Sequence, residues 1–491
     1  MLVHELIFRG KNDTLAIIEG QQQITYQQLQ EKTAAYRDFF YSIGIRYADN
    51  VALCSRNCQE YIYAYMALNS LGAVAVPINF QLSPREISYI IKDAGIQFFI
   101  THKKLDFTIG GKDSIGSALQ QILLADIDAQ PGQQPPAPAL PADFSEENTG
   151  AIIYTSGTTG TPKGAVLSHK NLTRDAVMFQ KFLQVKPTDN ILCVLPMYHC
   201  FSWTCAVINP LYAGACITIL AAFSPKECLD TIRERQISIL YAVPSICSLI
   251  AKLGRKEDLQ SLRITVLGGA SLPLQIARDF KEKFGIAICE GYGLSEAAPV
   301  CAVNPPGREK LGSIGLPLPG IQAKIIDSDS NPLPPGQPGE LCLAGDNVMK
   351  GYWNLPEDTA AALKDGWLHT GDIAMQDDEG YLFIVDRIKD MIISMGENIY
   401  PREIEELLYA YNGIAEAAVV GVPDKLRGQS GICFFVAEPG AEVIIRDLKK
   451  YLQANLALYK LPREYKQLSE LPKTGTGKIS KRELAEAYKK K

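Results

Sequence analysis

From Asn190 to Pro225 the sequence carries no charged side chain, in a chain whose Asp, Glu, Lys and Arg make up 21% of 491 residues. Such an interval is costly to spread over a solvated surface, so the fold has to enclose it. Its length invites a membrane span. Asn209 and Pro210 interrupt it, however, Gly214 follows, and it lacks flanking basic anchors of the kind that set orientation. A buried helix and strand in the core of a large soluble protein is the expectation.

The remaining composition narrows the class. At 491 residues the chain is too long for one core and suggests several folding units. With 47% hydrophobic residues and a net charge of −5 it is an ordinary globular chain, neither fibrous nor disordered. A pI near 5.7, with no basic run longer than Lys489 to Lys491, argues against nucleic acid as a partner. None of the 12 cysteines forms a C-x-x-C pair, the nearest spacings being Cys54 with Cys58 and Cys200 with Cys205. They read as reduced, small apolar residues, which points to the cytoplasm. Glu5 and Arg9 fall where a signal peptide would need an apolar stretch.

Along the chain, helical and strand patterns alternate. Tyr26 to Tyr41, Glu60 to Leu71 and Pro84 to Ala94 read as helices; Asn50 to Cys54, Ala73 to Pro77 and Gln97 to Thr101 read as strands. This alternation predicts parallel sheets covered by helices. Five prolines between Gln130 and Ala142 suggest an extended surface connection. A second alternating block runs from Ala151 to about Val303, and dense Gly and Pro then mark a small β-rich unit. From about Asp390 the pattern resets, with helices at Pro401 to Ala410 and Ile445 to Leu456 and strands at Ala417 to Gly421 and Gly431 to Ala437.

The strongest local signal is Tyr154-Thr155-Ser156-Gly157-Thr158-Thr159-Gly160-Thr161-Pro162-Lys163-Gly164, which follows the apolar strand Ala151 to Ile153. Glycines allow tight turns whose N–H groups face one anion, the hydroxyls add donors and the lysine adds a charge, so this is a phosphate-gripping loop in composition. The Walker spacing fails, since Pro162 precedes Lys163 and no helix follows at once. Further motifs follow in order: Glu290-Gly291-Tyr292-Gly293-Leu294-Ser295-Glu296, Gly345 to Tyr352, Thr370-Gly371-Asp372, Asp386 to Asp390, Gly396 to Pro401 and Pro472 to Lys478.

In this set and order the chain resembles the adenylate-forming enzymes, the superfamily of acyl-CoA synthetases, firefly luciferase and peptide-synthetase adenylation domains. In pattern it is most similar to bacterial medium- and long-chain fatty-acyl-CoA synthetases. The resemblance implies an α/β fold: a large N-terminal domain, residues 1–386, built from two parallel-sheet α/β subdomains and a small β-barrel-like subdomain, then a small mobile α+β domain, residues 387–491. It implies ATP, Mg²⁺ and coenzyme A as reactants and cofactors, with a small carboxylic acid as substrate. It leaves open a homodimer and peripheral membrane contact.

The roles implied are as follows. Thr155, Ser156, Gly157, Thr158, Thr159, Gly160 and Lys163 would grip the β- and γ-phosphates. Tyr292 would stack on adenine, with Gly268, Gly269 and Ala270 on its other side and Gly293 beside it. Ser295 would contact the α-phosphate, Glu296 and Thr155 would hold Mg²⁺, Asp372 would accept both ribose hydroxyls, and Arg387 would hold the nucleotide. Lys478 would bridge the substrate carboxylate and phosphate, Lys389 would be the hinge and Gly396 would line the pantetheine channel. His199 would lie near the reacting carboxylate. Trp203 matches an aromatic gate, or is a core residue, and Gly291 would leave room for an acyl chain.

On this resemblance the uncharged interval lines the acyl site. An amino-acid substrate needs an acid to pair its ammonium group, and none stands between Asn190 and Lys226. The expectation is therefore ATP-dependent formation of an acyl-CoA from a medium- to long-chain fatty acid. An aryl or arylalkanoic acid CoA ligase is the second reading, and a nucleotide-binding protein without turnover the third. Asn398 departs from an Arg found in some short-chain relatives, and Gln429 from a frequent Glu. No long insertion separates Val303 from Asp386, which favours CoA over a carrier-protein acceptor.

Overall fold

The computed structural model describes residues 1–107, 119–128, 135–155, 162–395, 397–424, 426–473 and 479–489. The uncharged interval folds as a strand, Asn190–Cys193, a helical run and a second strand, Cys216–Ile219, and the two strands pair in parallel. They lie inside a nine-stranded sheet, in the order Leu316–Pro317, Val300–Val303, Ile288–Gly293, Ile264–Leu267, Ile239–Ala242, Asn190–Cys193, Cys216–Ile219, Leu15–Glu19 and Gln22–Thr25. Interior strands of a parallel sheet are covered on both faces, so their side chains face apolar surroundings and these two carry no charge. Among the described residues no helix is long and apolar enough to cross a membrane.

A seven-stranded sheet carries the first alternating block, in the order Gly351–Tyr352, Lys163–Ser168, Thr149–Thr155, Val74–Pro77, Asn50–Cys54, Phe98–Thr101 and Gln120–Leu123. Its helices start where the sequence can satisfy their orphan N–H groups. Thr25 caps Tyr26–Ser42 and Ser83 caps Pro84–Asp93, each reciprocated by the side chain three residues on, Gln28 and Glu86. The described part of the proline-rich stretch, residues 135–142, is the exposed connection expected, anchored at Ala137: Arg37 donates to Ala137 O at 3.1 Å and Ala137 N–H donates to Asp38 at 2.8 Å, Arg37 and Asp38 both belonging to the helix Tyr26–Ser42.

The centres of both sheets pair in parallel, as expected, and antiparallel strands extend their edges. Thr149–Thr155 and Lys163–Ser168 form an antiparallel hairpin with Thr155 opposite Lys163, and Ile288–Gly293 turns back into Val300–Val303. Short connections leave no room for the crossover that parallel pairing needs. Beyond them, Gln322–Ile326, Gly339–Ala344 and Trp367–Gln376 make an antiparallel sheet, with Leu363–Lys364 and Leu382–Arg387 both paired to Trp367–Gln376.

The last unit has its own five-stranded sheet, in which Gly428–Ala437 pairs antiparallel with Ile414–Asp424 and with Ile392–Ser394, and in parallel with Glu464–Gln467. Its apolar cores draw only on residues from Ile392 onward, whereas the largest core of the chain runs from Val3 to Leu382.

Candidate functional site

The parallel neighbours Ile264–Leu267 and Ile288–Gly293 run off the sheet at the same end, where open α/β sheets bind ligands. Gly268, Gly269 and Ala270 leave one strand there; Gly291, Tyr292 and Gly293 end the other. Gly269 has φ +80°, a conformation that suits glycine. At Gly293 a Cβ would sit 2.0 Å from Pro299 O, so only glycine permits the tight reversal that Leu294 N–H closes onto Pro299 O. At Gly291 a Cβ would meet Ala302 O at 3.3 Å and Val303 at 3.4 Å. The bare position there first serves close pairing with Val300–Val303.

Tyr292 Oη donates to Asp372 Oδ2, and burial followed by the Asp372 charge pushes the phenol far above its ordinary pKa, so it stays a donor. Asp372, 5% exposed, receives Arg387 Nε on its other oxygen at 3.1 Å, and the two residues face each other across the strand pair. Tyr292, Asp372 and Arg387 thus form one contiguous polar group. The turn that presents Asp372 is held on every side. Thr370 Oγ1 donates to Leu341 O at 2.7 Å and accepts from Asp372 N–H at 3.1 Å. Gly371, at φ +70°, donates to Glu340 Oε1 at 3.2 Å, and the other Glu340 oxygen contacts His369 Nδ1 at 2.9 Å.

Ser295 and Glu296 occupy a single 3-10 turn, Ser295–Ala297. Glu296 accepts from Tyr352 Oη at 2.9 Å, and its carbonyl accepts from Met349 N–H at 2.8 Å. Asn347 donates to Ala297 O at 2.8 Å, and Asp175 Oδ2 accepts from Val300 N–H at 3.3 Å behind the turn. Burial drives the Asp175 carboxyl well above the usual range. Lys163 is paired with Asp358 and lies 5.5 Å above the Tyr352 ring. At the hairpin base Thr155 Oγ1 approaches Lys163 O at 3.5 Å. The Glu296 carboxylate and the Thr155 hydroxyl both offer oxygen donors, the chemistry that a hard Mg²⁺ ion prefers.

On the side where the uncharged interval lies, His199 caps the helix Cys200–Trp203 through Nδ1, which accepts Phe201 N–H at 3.2 Å. The run continues through a π-helical turn, Thr204–Ile208, into Asn209–Ala213. Thr204 Oγ1 donates to Ala298 O at 3.0 Å, and Cys200 Sγ lies 3.3 Å from Ser295 Oγ, so this helix and the Ser295 turn pack as one body. Trp203 is 2% exposed and packs on Tyr65 and Tyr61, with ring centroids 4.1 and 5.5 Å away. It stands here as a buried aromatic wall.

Ser156, Gly157, Thr158, Thr159, Gly160, Gly396 and Lys478 lie outside the described residues. Lys389 is exposed in the turn that follows Leu382–Arg387. Sequence reasoning gave no role to Tyr352, which joins Glu296 and Lys163, although it closes one of the motifs. It also missed Glu340, whose contacts depend on a strand register that no local pattern displays.

The AMP-binding enzyme family model matches residues 7–353, and the model for the AMP-binding enzyme C-terminal domain matches residues 403–478. A feruloyl-CoA synthase from Amycolatopsis sp is 35% identical over 477 residues, covering 96% of this chain and 96% of its own length. A long-chain-fatty-acid–CoA ligase from Bacillus subtilis (strain 168) is 33% identical, covering 96% of this chain and 92% of its own. The crystal structure of ATP-bound MatB from Rhodopseudomonas palustris superposes with a TM-score of 0.90 at 29% identity, covering 100% of this chain and 99% of that one.

Proposed function

We propose that this chain, which belongs to the AMP-binding enzyme family, uses its uncharged interval to accept a medium- to long-chain fatty acid. It is an acyl-CoA synthetase: ATP and a carboxylic acid give an acyl-adenylate, from which the acyl group passes to CoA. The observation that carries the finer reading is that the helical run Cys200–Ala213, which packs against the Ser295 turn through Cys200, carries no charge, nor do the two strands that flank it in sequence. Each methylene buried there would contribute about 0.8 kcal/mol to binding.

The acid arrives ionised and attacks the α-phosphorus without a general base, so catalysis reduces to alignment and neutralisation of charge. In our reading Tyr292 and the strand end Gly268 to Ala270 flank adenine. The Asp372 carboxylate takes the ribose hydroxyls, its two oxygens already oriented by Tyr292 and Arg387. Ser295 faces the α-phosphate, and Lys163, with the loop that starts at Thr155, holds the leaving pyrophosphate. Mg²⁺, held by Glu296 and Thr155, would offset charge on the phosphates. Lys478 bridges carboxylate and phosphate, and His199, with Nδ1 engaged as an acceptor, lies near the acid. The division into residues 1–386 and 387–491, with Lys389 as hinge and Gly396 beside the thiol path, belongs to the same reading. The separate apolar cores on the two sides support it.

A second reading, an aryl acid, is favoured by the Trp203, Tyr61 and Tyr65 cluster in the acyl-side wall and by the feruloyl-CoA synthase relative. Pyrophosphate release over a panel of fatty and aryl acids, with and without CoA, tests both. We expect kcat/KM to rise with chain length among fatty acids. A flat response to chain length, with faster turnover of ring acids, would overturn the fatty-acid reading.

A further inference from the structure

Cys342 and His369 stand directly opposite each other on the antiparallel strands Gly339–Ala344 and Trp367–Gln376, and Glu340 lies two residues before Cys342 with a register shift between them. One donor atom from each of Glu340, Cys342 and His369 falls within 4.8 Å of the other two. Cys342 is buried, and Glu340 and His369 are half-buried.

We propose that these three side chains form a binding site for a soft divalent cation of the Zn²⁺ class, and that its occupancy weakens ATP binding. A thiolate, an imidazole and a carboxylate suit Zn²⁺ or Co²⁺, whereas Mg²⁺ prefers oxygen donors alone. Two of the donors come from directly paired strands, so the site is largely assembled before the ion arrives, and three protein ligands leave a fourth position for water. The site is separate from the oxygen donors Glu296 and Thr155.

The link to ATP follows from what Glu340 and His369 already do. Their contact of 2.9 Å is a hydrogen bond. A tetrahedral ion held at about 2.0–2.2 Å from each donor would set nitrogen and oxygen about 3.3 Å apart, so the pair must open by a few tenths of an ångström. The other oxygen of Glu340 holds Gly371 N–H, and His369 precedes Thr370, so the displacement reaches the turn that presents Asp372. The effect on ATP rests on the reading of Asp372 as the ribose acceptor; the cation site does not.

Titration of the nucleotide-free full-length chain with Co²⁺, followed by absorption, tests the site. We expect one equivalent to give a thiolate-to-cobalt charge-transfer band that Zn²⁺ displaces, and Cys342→Ser and His369→Gln each to lose it while remaining folded by circular dichroism. A band of equal intensity in Cys342→Ser, or none in the parent, overturns the site. Steady-state assays at saturating Zn²⁺ should show the ATP KM raised about tenfold, the acid KM unchanged, and no rise in Cys342→Ser. Binding through Cys342 with an unmoved ATP KM overturns the coupling to ATP. A chain that binds Co²⁺ through Cys342 but releases no pyrophosphate with any acid refutes the ligase reading and leaves the site standing.

Discussion

Glu290 is an acid placed where water barely reaches: it is 4% exposed, in the buried first half of the strand Ile288–Gly293 and two residues before Tyr292. Burial pushes its carboxyl up to about 7, against the opposing pull of the Arg402 charge and of the Leu272 N–H that it accepts. In the unfolded chain the group returns to about 4.3. Because the folded value is the higher, the native state binds the extra proton. The associated stability is complete below about pH 4.3 and is lost as pH rises through about 7. Glu290→Gln removes this term. The difference in unfolding free energy, variant minus parent, should therefore grow by up to about 3 kcal/mol between pH 5 and pH 8. Denaturant unfolding at the two pH values checks it, and a difference that does not change with pH would refute the burial argument. Lys478 is the opposite case: it lies outside the described residues, and its proposed role rests on its motif alone. Lys478→Ala should slow adenylation about 10²- to 10³-fold while sparing thioester formation from supplied acyl-adenylate. Separate assays of the two half-reactions decide, and equal losses would remove Lys478 from its role. A motif can single out Lys478 as a candidate because spacing carries the signal; it says nothing of the state of Glu290, because burial is set by strands far away in sequence.

Among elements, the turn between His369 and Asp372 shows how much of a site is made by register. Thr370-Gly371-Asp372 was readable as a motif, yet its rigidity comes from Leu341 and Glu340 on the neighbouring strand. Thr370→Val keeps the shape and removes both hydrogen bonds of the hydroxyl, leaving a carbonyl and an amide without their partner. At a cost of about 1–2 kcal/mol, that predicts an ATP KM raised roughly tenfold. Because the acyl-side helix does not touch this turn through Thr370, the acid KM should stay within twofold. Thr370→Ser should recover most of the loss, and a variant that unfolds or raises both KM values together would make the residue a general fold determinant. The helices and parallel strands of the large region lay close to their expected bounds, since periodicity and capping boxes announce them. The hairpin of Thr149–Thr155 with Lys163–Ser168 and the π-helical turn Thr204–Ile208 did not, because pairing direction and helix widening are decided by tertiary neighbours.

At the scale of the molecule, the composition break near Asp390 was legible, whereas the way the last unit seats against the rest was not. The apolar cores stop on either side of the junction, and polar contacts cross it. Arg402 N–H donates to Asp386 Oδ2 at 2.9 Å, its guanidinium donates to Ile384 O at 2.8 Å, and Lys481 pairs with Glu405 at 2.8 Å beside them. Arg387 O accepts from Asp390 N–H and Met391 N–H at 3.0 Å, so the turn containing Lys389 is the link between the two sheets. A junction of this kind can be exchanged for another, because few apolar contacts are lost when it opens. If the enzyme uses two arrangements, the Arg402 contacts belong to one of them only. Arg402→Ala should then slow one half-reaction roughly five- to tenfold, as expected for the loss of about 1 kcal/mol of conformation-specific bonding, and leave the other within twofold. Single-turnover adenylation and single-turnover thioesterification, measured on the same preparation, separate these outcomes. Equal slowing of both would mean that the junction seen here is a fixed structural seam, and the hinge reading of Lys389 would fall with it.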